Sequence, residues 1–370
     1  MWNRKKTHDR DQEAISSLRA QLHALPKVDL HRHLEGSLRL QTLAEIAQEH
    51  GIDLPSYDIE YLRPFVTVAN DEPDFHRFLE KFRLLQRFYP TQAAVERVAY
   101  EAVADAAADN IKYLELRFNP LAQARVQGFS LNEVTTWICG AVAKAQRDFG
   151  VRVNLILSIR RDVGLDIASE IANVAAAHLG DGVVGLDLTG DEIGYPATRF
   201  VDVFRRAHQE GLYVTVHAGE AGGAENVREA ILSLGAQRIG HGIRAIENSH
   251  VVGLLRERRV ALEVCPTSNL QTGAVRRVGQ HPLLDLLALN LQVTINTDDP
   301  SVSDTTLTDE YVVAMMAMGM TFEQIKRTIV MAAESAFLPP EERKQLVEWF
   351  RRELGLDEGV HGAPVRYKFA

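Results

Sequence analysis

His31 and His33 stand two residues apart in "KVDLHRHLEG" (27–36), directly after the apolar Val28 and Leu30, with Glu35 next in the same alternation. Pro26 and the short apolar run argue for a strand, on which residues i and i+2 face the same side. Two imidazoles converging at a strand end can share one metal ion. They can equally be satisfied core or loop histidines, and the HxH pattern alone does not choose between the two. Polar groups of the same kind recur after other short apolar runs. These are "TGDE" (189–192), "HAGE" with His217 and Glu220, "GHG" with His241, "CPTSN" with Ser268, and "NTDDP" with Asp298 and Asp299.

His31, His33, His217 and Asp298 together offer three nitrogens and one carboxylate oxygen. That set suits zinc and leaves room for a water, although iron, cobalt or manganese would also accept it. Zinc brings the pKa of its water toward neutrality, so attack by hydroxide is the expected chemistry. The fourth apolar run ends "GLDLTGDE" with no lysine to carry a carbamate bridge, so a single ion is expected. His241 and Asp299 become the base and the orienting group beside that water. Glu220, three residues past His217, becomes the acid that protonates a ring nitrogen of the substrate. Each residue has a plainer reading alone: Glu220 as a first-turn acid of a helix at 224–236, Asp298 and Asp299 as a turn before Pro300. Taken jointly, those plainer readings are improbable. The other nine of the thirteen histidines, among them His76, His178, His208 and His281, are read as ordinary surface or core residues.

The elements that must position these groups are short apolar or β-branched runs bounded by turn residues. Eight strands are expected, at 27–33, 111–118, 152–159, 183–189, 213–218, 238–241, 261–265 and 292–297. Helical patterns lie between them, as at 131–150 and 198–211, each ending in or beside glycine. Strands alternating with helices give βα units and a parallel sheet, and eight units point to an α/β fold, a closed (β/α)8 TIM-type barrel. Counting alone leaves an open doubly wound sheet possible. In a barrel the chemistry belongs at the carboxyl ends of the strands, which is where the polar groups fall. The long stretch 34–110 between the first two strands has helices of its own and reads as a lid or a packing insertion. Further helices are expected at 305–320, 321–336 and 340–354. The whole of 1–370 is expected to form one domain, with an N-terminal arm over 1–25 and a loosely held tail over 356–370.

Composition sets bounds on the partners. The chain is 46% hydrophobic and 25% charged, ordinary for a globular protein. A formal net charge of −9 speaks against nucleic acid or an anionic membrane. Cys139 and Cys265 are the only cysteines, too few for a disulfide framework or a cysteine zinc site. The opening "MWNRKKTHDRDQEA" lacks the apolar segment of a secretory signal, and no apolar run approaches the roughly 20 residues that span a bilayer. A cytoplasmic location is expected; the oligomeric state is not encoded in any of these features.

The motifs resemble those of the adenosine deaminase family, a branch of the amidohydrolase superfamily. The matching segments are "PKVDLHRHLEGS" (26–37), "LDLTGDE" (186–192), "TVHAGE" (215–220), "RIGHG" (238–242), "EVCPTSN" (263–269) and "NTDDP" (296–300), in the family's order. The resemblance implies a purine nucleoside as substrate and one zinc ion held by His31, His33, His217 and Asp298. It implies that Glu220 gives a proton to N1 and that His241 positions or deprotonates the attacking water. Asp299 would orient that water and contact N7, and the Gly190 backbone would meet N3. Water adds to C6 and ammonia leaves. One segment departs from the adenosine pattern: "HLEG" stands where "HLDG" is usual, with Glu35 at the position that contacts the ribose 5′-hydroxyl. "HLEG" also occurs in adenine deaminases and in relatives acting on 5′-modified adenosines such as aminodeoxyfutalosine. "GHG", "HAGEAGG" and "NTDDP" follow the adenosine type, so a nucleoside, adenosine or 2′-deoxyadenosine, is the expectation.

Overall fold

The structure is a computed structural model that describes residues 2–68 and 71–356; most of the expected tail, from 357 on, lies outside the described residues. Eight parallel strands run in sequence order around a barrel: β1 (Lys27–His33), β2 (Ile111–Phe118), β3 (Arg152–Arg160), β4 (Val183–Thr189), β5 (Tyr213–Ala218), β6 (Arg238–His241), β7 (Ala261–Val264) and β8 (Val293–Ile295). This is the (β/α)8 architecture, and the open doubly wound alternative is set aside because each strand pairs with its sequence neighbour. The strands are buried almost throughout, as expected of a parallel sheet covered by helices.

The seam between β8 and β1 closes by a few well-placed bonds. The Asp298 amide donates to the His31 carbonyl and the His33 amide donates to the Asp298 carbonyl, both at 2.8 Å. One step earlier the Asn296 side chain substitutes for backbone, its Oδ1 accepting from the Leu30 amide at 2.9 Å. Thr297 Oγ1 donates to Asp29 Oδ2 at 2.7 Å. The β8 strand is therefore shorter than the expected 292–297, because side chains replace the ladder at its carboxyl end. β1 carries an extra residue between Asp29 and Arg32 relative to β2.

Helices form where capping and periodicity predict. Ser130 and Glu133 cap the helix Leu131–Phe149 reciprocally, and Gly150 ends it at φ +64. The C-terminal helices Leu307–Met316, Phe322–Glu334 and Pro340–Glu353 sit within the expected spans. The expected helix at 198–211 is split instead: a 3-10 turn over Ala197–Phe200 precedes Val201–Gln209. The N-terminal arm is a helix, α1 (Trp2–Ala24). Between β1 and β2 lie α2 (Leu40–His50), α3 (Ile59–Val66), α4 (Phe75–Leu85) and α5 (Gln92–Ala108). Of these, α4 lies across the carboxyl end of the barrel. Asp74 caps it, and the Asp74 amide donates to the Gln271 carbonyl beyond β7 at 3.1 Å.

The barrel interior departs from the usual filling of Val, Ile and Leu. Arg117, Arg238, Glu115, Asp187 and Glu263 all point inward and are essentially inaccessible to solvent. Arg238 donates to Glu115, to Glu263 and to the Ser335 carbonyl, and its guanidinium lies 3.5 Å from the Phe337 ring centroid. Removing one partner of a buried pair leaves an uncompensated charge. Arg238→Met is therefore expected to destabilise the fold by about 3–5 kcal/mol, read as a lowered midpoint in urea unfolding; a shift equivalent to under about 1 kcal/mol would mean that Glu115 and Glu263 find other partners.

Candidate active site

Backbone geometry at the strand ends aims the polar groups inward. His241 and Asp298 both adopt left-handed backbone, at φ +60 and +62. That region is uncommon for residues with a Cβ and clusters at functional sites. Two glycines admit the close packing. A Cβ on Gly240 would sit 3.0 Å from the His31 ring and 3.1 Å from His217 Nδ1, and one on Gly36 would overlap Asp299 Oδ1 at 1.9 Å.

The structure brings His31, His33, His217 and Asp298 together, with one donor atom from each inside a 4.8 Å cluster. His31 Nε2 and His33 Nε2 lie 3.2 and 3.3 Å from Asp298 Oδ1, and the Nε2 atoms of His33 and His217 are 3.2 Å apart. Ring nitrogens converging this closely on one carboxylate oxygen offer several donor atoms to a single cation. Two of the rings are aimed by carboxylates on their far sides. His31 Nδ1 meets Glu263 Oε2 at 2.7 Å, and His217 Nδ1 meets Asp187 Oδ1 at 3.1 Å. A carboxylate at Nδ1 keeps the proton there and turns the Nε2 lone pair into the site, as metal-binding histidines require. The donor set therefore fits a divalent metal ion.

Arg117 ties the two orienting carboxylates together. Its Nη1 donates to Asp187 and its Nη2 to Glu263, both at 2.8 Å, and Nη2 also donates to the Leu30 carbonyl of β1. Although burial opposes it, His217 and Arg117 hold Asp187 below the usual carboxylate range.

Glu220, His241 and Asp299 stand beside this cluster. Glu220 Oε2 is 3.5 Å from His241 Nε2, and His241 Nε2 is 3.9 Å from Asp298 Oδ2. The Glu220 loop is fixed by a buried carboxylate, Glu192, which accepts from the amides of Gly219, Glu220 and Gly222 at 2.7–2.8 Å. Burial, reinforced by the charges of Asp298 and Glu192, pushes the Glu220 carboxyl up to about 8. Burial next to Asp298 likewise raises Asp299 well above the usual range. Glu220 Oε1, Asp299 Oδ1 and His31 Nε2 are buried and lack a hydrogen-bond partner among the described residues.

These groups open into a cavity of about 500 Å³. Its walls include Glu35 and Gly190, the latter at φ +94, and α4 roofs it with Phe75, Phe78 and Phe82. Glu35 Oε1 accepts from the Asn119 amide at 2.7 Å and from Gln123 Nε2 at 2.9 Å. His33, Glu35, Gly190, His217, Glu220, His241, Asp298 and Asp299 thus meet at one pocket, with His31 beneath it in the donor cluster, whereas Ser268 is buried and does not line it. Two of the histidines read as ordinary also belong to its surroundings. His76 lines the pocket from α4, and buried His281 bonds to Asn269, which bonds to His241. His178 and His208 are satisfied away from it by Asp181, Asn132 and the Leu234 carbonyl.

Sequence reasoning missed Arg117, Asp187, Glu263 and Asn269. For Arg117, Asp187 and Glu263 the signal was a charged residue inside an otherwise apolar strand, which survives burial only when paired; Asn269, neutral and on the short helix after β7, carried no such signal.

The adenosine deaminase family profile matches residues 26–352. The chain belongs to the adenosine deaminase family. It is 41% identical over 324 residues to an adenosine deaminase of Vibrio parahaemolyticus serotype O3:K6 (strain RIMD 2210633), covering 88% of this chain and 97% of the relative. Among solved structures it is similar to an adenine deaminase from Arthrobacter aurescens, at 29% identity and a TM-score of 0.82 over 90% of this chain and 98% of that one. It is also similar to an amidohydrolase from Burkholderia ambifaria with bound zinc, at 27% identity and a TM-score of 0.83 over 91% and 93% of the two chains.

Asp187 touches no substrate in this arrangement, yet it sets the orientation of His217. Asp187→Asn should weaken divalent-metal affinity by about 10- to 100-fold, measured by zinc competition against a chromophoric chelator; an unchanged affinity would remove Asp187 from the support of the site.

Proposed function

We propose that this chain hydrolyses adenosine, and 2′-deoxyadenosine, to the corresponding inosine and ammonia, with one zinc ion held by His31, His33, His217 and Asp298. The observation that carries the reading is the meeting of that donor cluster with a high-pKa carboxyl, Glu220, in one purine-sized pocket. Zinc, when bound, lowers the pKa of a coordinated water toward neutrality.

The chain's own groups supply the rest. Glu220 carries its proton near neutral pH and gives it to N1 of the purine, which makes C6 electrophilic toward water. His241 stands between Glu220 and Asp298 and positions or deprotonates the attacking water. Asp299, raised well above the usual carboxylate range by burial and by Asp298, contacts N7 and helps to orient that water. The Gly190 backbone on the pocket wall meets N3. Of the two protons of the attacking water, one reaches the departing amino group and the other replaces the proton given by Glu220, and ammonia leaves from C6. Glu35, held on the pocket wall by Asn119 and Gln123, faces the ribose end.

Glu35 also motivates the second reading, a deaminase of adenine or of a 5′-modified adenosine such as aminodeoxyfutalosine. It is one methylene longer than aspartate and fills part of the space a 5′-hydroxyl would use. A relative of similar fold is an adenine deaminase.

The deciding experiment is a substrate panel on the zinc-loaded protein: adenosine, 2′-deoxyadenosine, adenine, aminodeoxyfutalosine and methylthioadenosine, followed by ammonia release and the ultraviolet change from amino- to oxopurine. The highest kcat/KM is expected for adenosine. A preference for adenine or a 5′-modified nucleoside establishes the second reading, and no turnover anywhere refutes both. In the same assay Glu220→Gln is expected to keep its zinc and lose about 10²- to 10⁴-fold in kcat; near-normal turnover would exclude it as the proton donor. Glu35→Asp should raise the adenosine-to-adenine ratio of kcat/KM by about tenfold or more, whereas an unmoved ratio would mean that residue 35 does not sense the ribose.

A further inference from the structure

Behind His241, on the side away from the donor cluster, runs a short buried chain of hydrogen bonds with only one consistent polarity. It starts at a backbone amide. The Leu283 N–H donates to His281 Nδ1 at 3.1 Å, so that nitrogen carries no proton. The proton of the neutral ring is therefore on Nε2, which lies 3.2 Å from Asn269 Oδ1 and donates to it. The Asn269 amide cannot be turned over, because its NH₂ would then face the His281 N–H, donor against donor. Asn269 Nδ2 thus points the other way and donates to His241 Nδ1 at 3.1 Å. An amide NH₂ has nothing to accept with, so His241 Nδ1 must be bare.

We propose that Asn269 and His281 are positioning residues that hold His241 with its proton on Nε2, so that the ring donates a hydrogen bond to the attacking water or the developing oxyanion instead of removing a proton. His241 Nε2 is the atom that faces Glu220 and Asp298. It already carries a hydrogen in this tautomer. The only other site for a proton, Nδ1, is blocked by the Asn269 donor. Burial works in the same direction: it lowers His281 to about 4, keeping that ring neutral and the chain's polarity fixed. The arrangement is held from several sides. Asn269 is on the helix Pro266–Gln271 that follows β7, its amide bonded to the Cys265 carbonyl, and its own carbonyl accepts from the Val275 amide. All three side chains are buried. Of the two roles that the resemblance leaves open for His241, the hydrogen-bond chain selects positioning of the water over its deprotonation.

The inference rests on the reading of His241 as a neighbour of the reacting water, but its first test needs no substrate. In the zinc-loaded full-length protein with ¹⁵N-labelled histidine, nitrogen shifts and long-range proton–nitrogen correlations at pH 7.5 report which ring nitrogens carry protons. The expected spectrum shows His241 with Nδ1 unprotonated and Nε2 protonated, and His281 likewise. A proton on His241 Nδ1 in the wild type would overturn the proposal. Asn269→Asp places an acceptor where the amide donated while keeping the bond from His281. Its expected signature is a proton on His241 Nδ1, with kcat lowered by on the order of tenfold or more and zinc content and KM little changed. A variant spectrum identical to the wild type would show that Asn269 does not set the tautomer, and unchanged kcat with Nδ1 protonated would show that the tautomer does not matter to turnover. A protein inactive on every purine but with Nδ1 bare refutes the proposed function and leaves the lock standing.

Discussion

The Asp298 backbone closes the barrel. Its amide and carbonyl bond to His31 and His33 on either side of Arg32, so the first and last strands meet at one residue. The same residue sends its carboxylate between the imidazoles of His31 and His33. Closure of the sheet and convergence of the donor cluster are therefore one geometric event. The left-handed backbone at Asp298 makes both possible, since it lets the chain bond to β1 while the side chain turns inward. Asn296, Thr297 and Asp29 stitch the remainder of the seam with side chains where a longer β8 would have used backbone. A ladder of ordinary length would have carried Asp298 along the strand, with its side chain alternating in or out by the pleat alone.

Beneath the seam, the barrel keeps charges where most barrels carry an apolar filling. Replacing buried ion pairs by well-packed hydrophobes is often neutral or favourable, so this cluster is better understood as orientation than as stability. Arg117 joins Asp187 to Glu263, and those carboxylates aim His217 and His31. Arg238 and Thr215 satisfy the other Glu263 oxygen. Every oxygen of the two carboxylates is thereby hydrogen-bonded, and the rings have one direction left in which to point. A histidine pair on an apolar floor would retain the freedom to rotate and to change tautomer.

The parts of this design that could be read from the chain were those that repeat. Eight buried runs separated by helical periods defined the barrel, and acids and imidazoles at the ends of those runs marked one face of it. The boundaries moved where side chains substitute for backbone, at β8 and in the split helix after β4. What stayed hidden was the layer behind the donor cluster. Asp187 and Glu263 look like isolated charges in strands whose pairing partners are far away in sequence, and spacing along one strand carries no information about its neighbour's register. His281 was hidden for the opposite reason. It lies in an irregular segment with no periodicity, and its importance comes only from contact with Asn269.

The consecutive pair Asp298–Asp299 shows how adjacent identical residues come to do different work. Asp298 is surrounded by His31, His241 and His33, which outweigh burial and hold it ionised. Burial, with the carboxylates of Asp298, Glu35 and Glu220 around it, raises Asp299 well above the usual carboxylate range. The bare Cα of Gly36 allows Asp299 to come close enough to feel those charges, because any Cβ there would occupy the position of its Oδ1. On the proposed reading one carboxylate thus serves a cation and the next serves a ring nitrogen. Glu220 is driven the same way by burial and by Asp298 and Glu192. On the proposed reading the pocket is divided accordingly: on one side, groups that would hold a positive ion and an attacking oxygen; on the other, Glu220 and Asp299, two carboxyls whose proton affinity burial has raised. A planar, nitrogen-rich ring set between them meets proton donors along its edge and a nucleophile at its face, which is the polarity that addition of water to an amidine carbon requires.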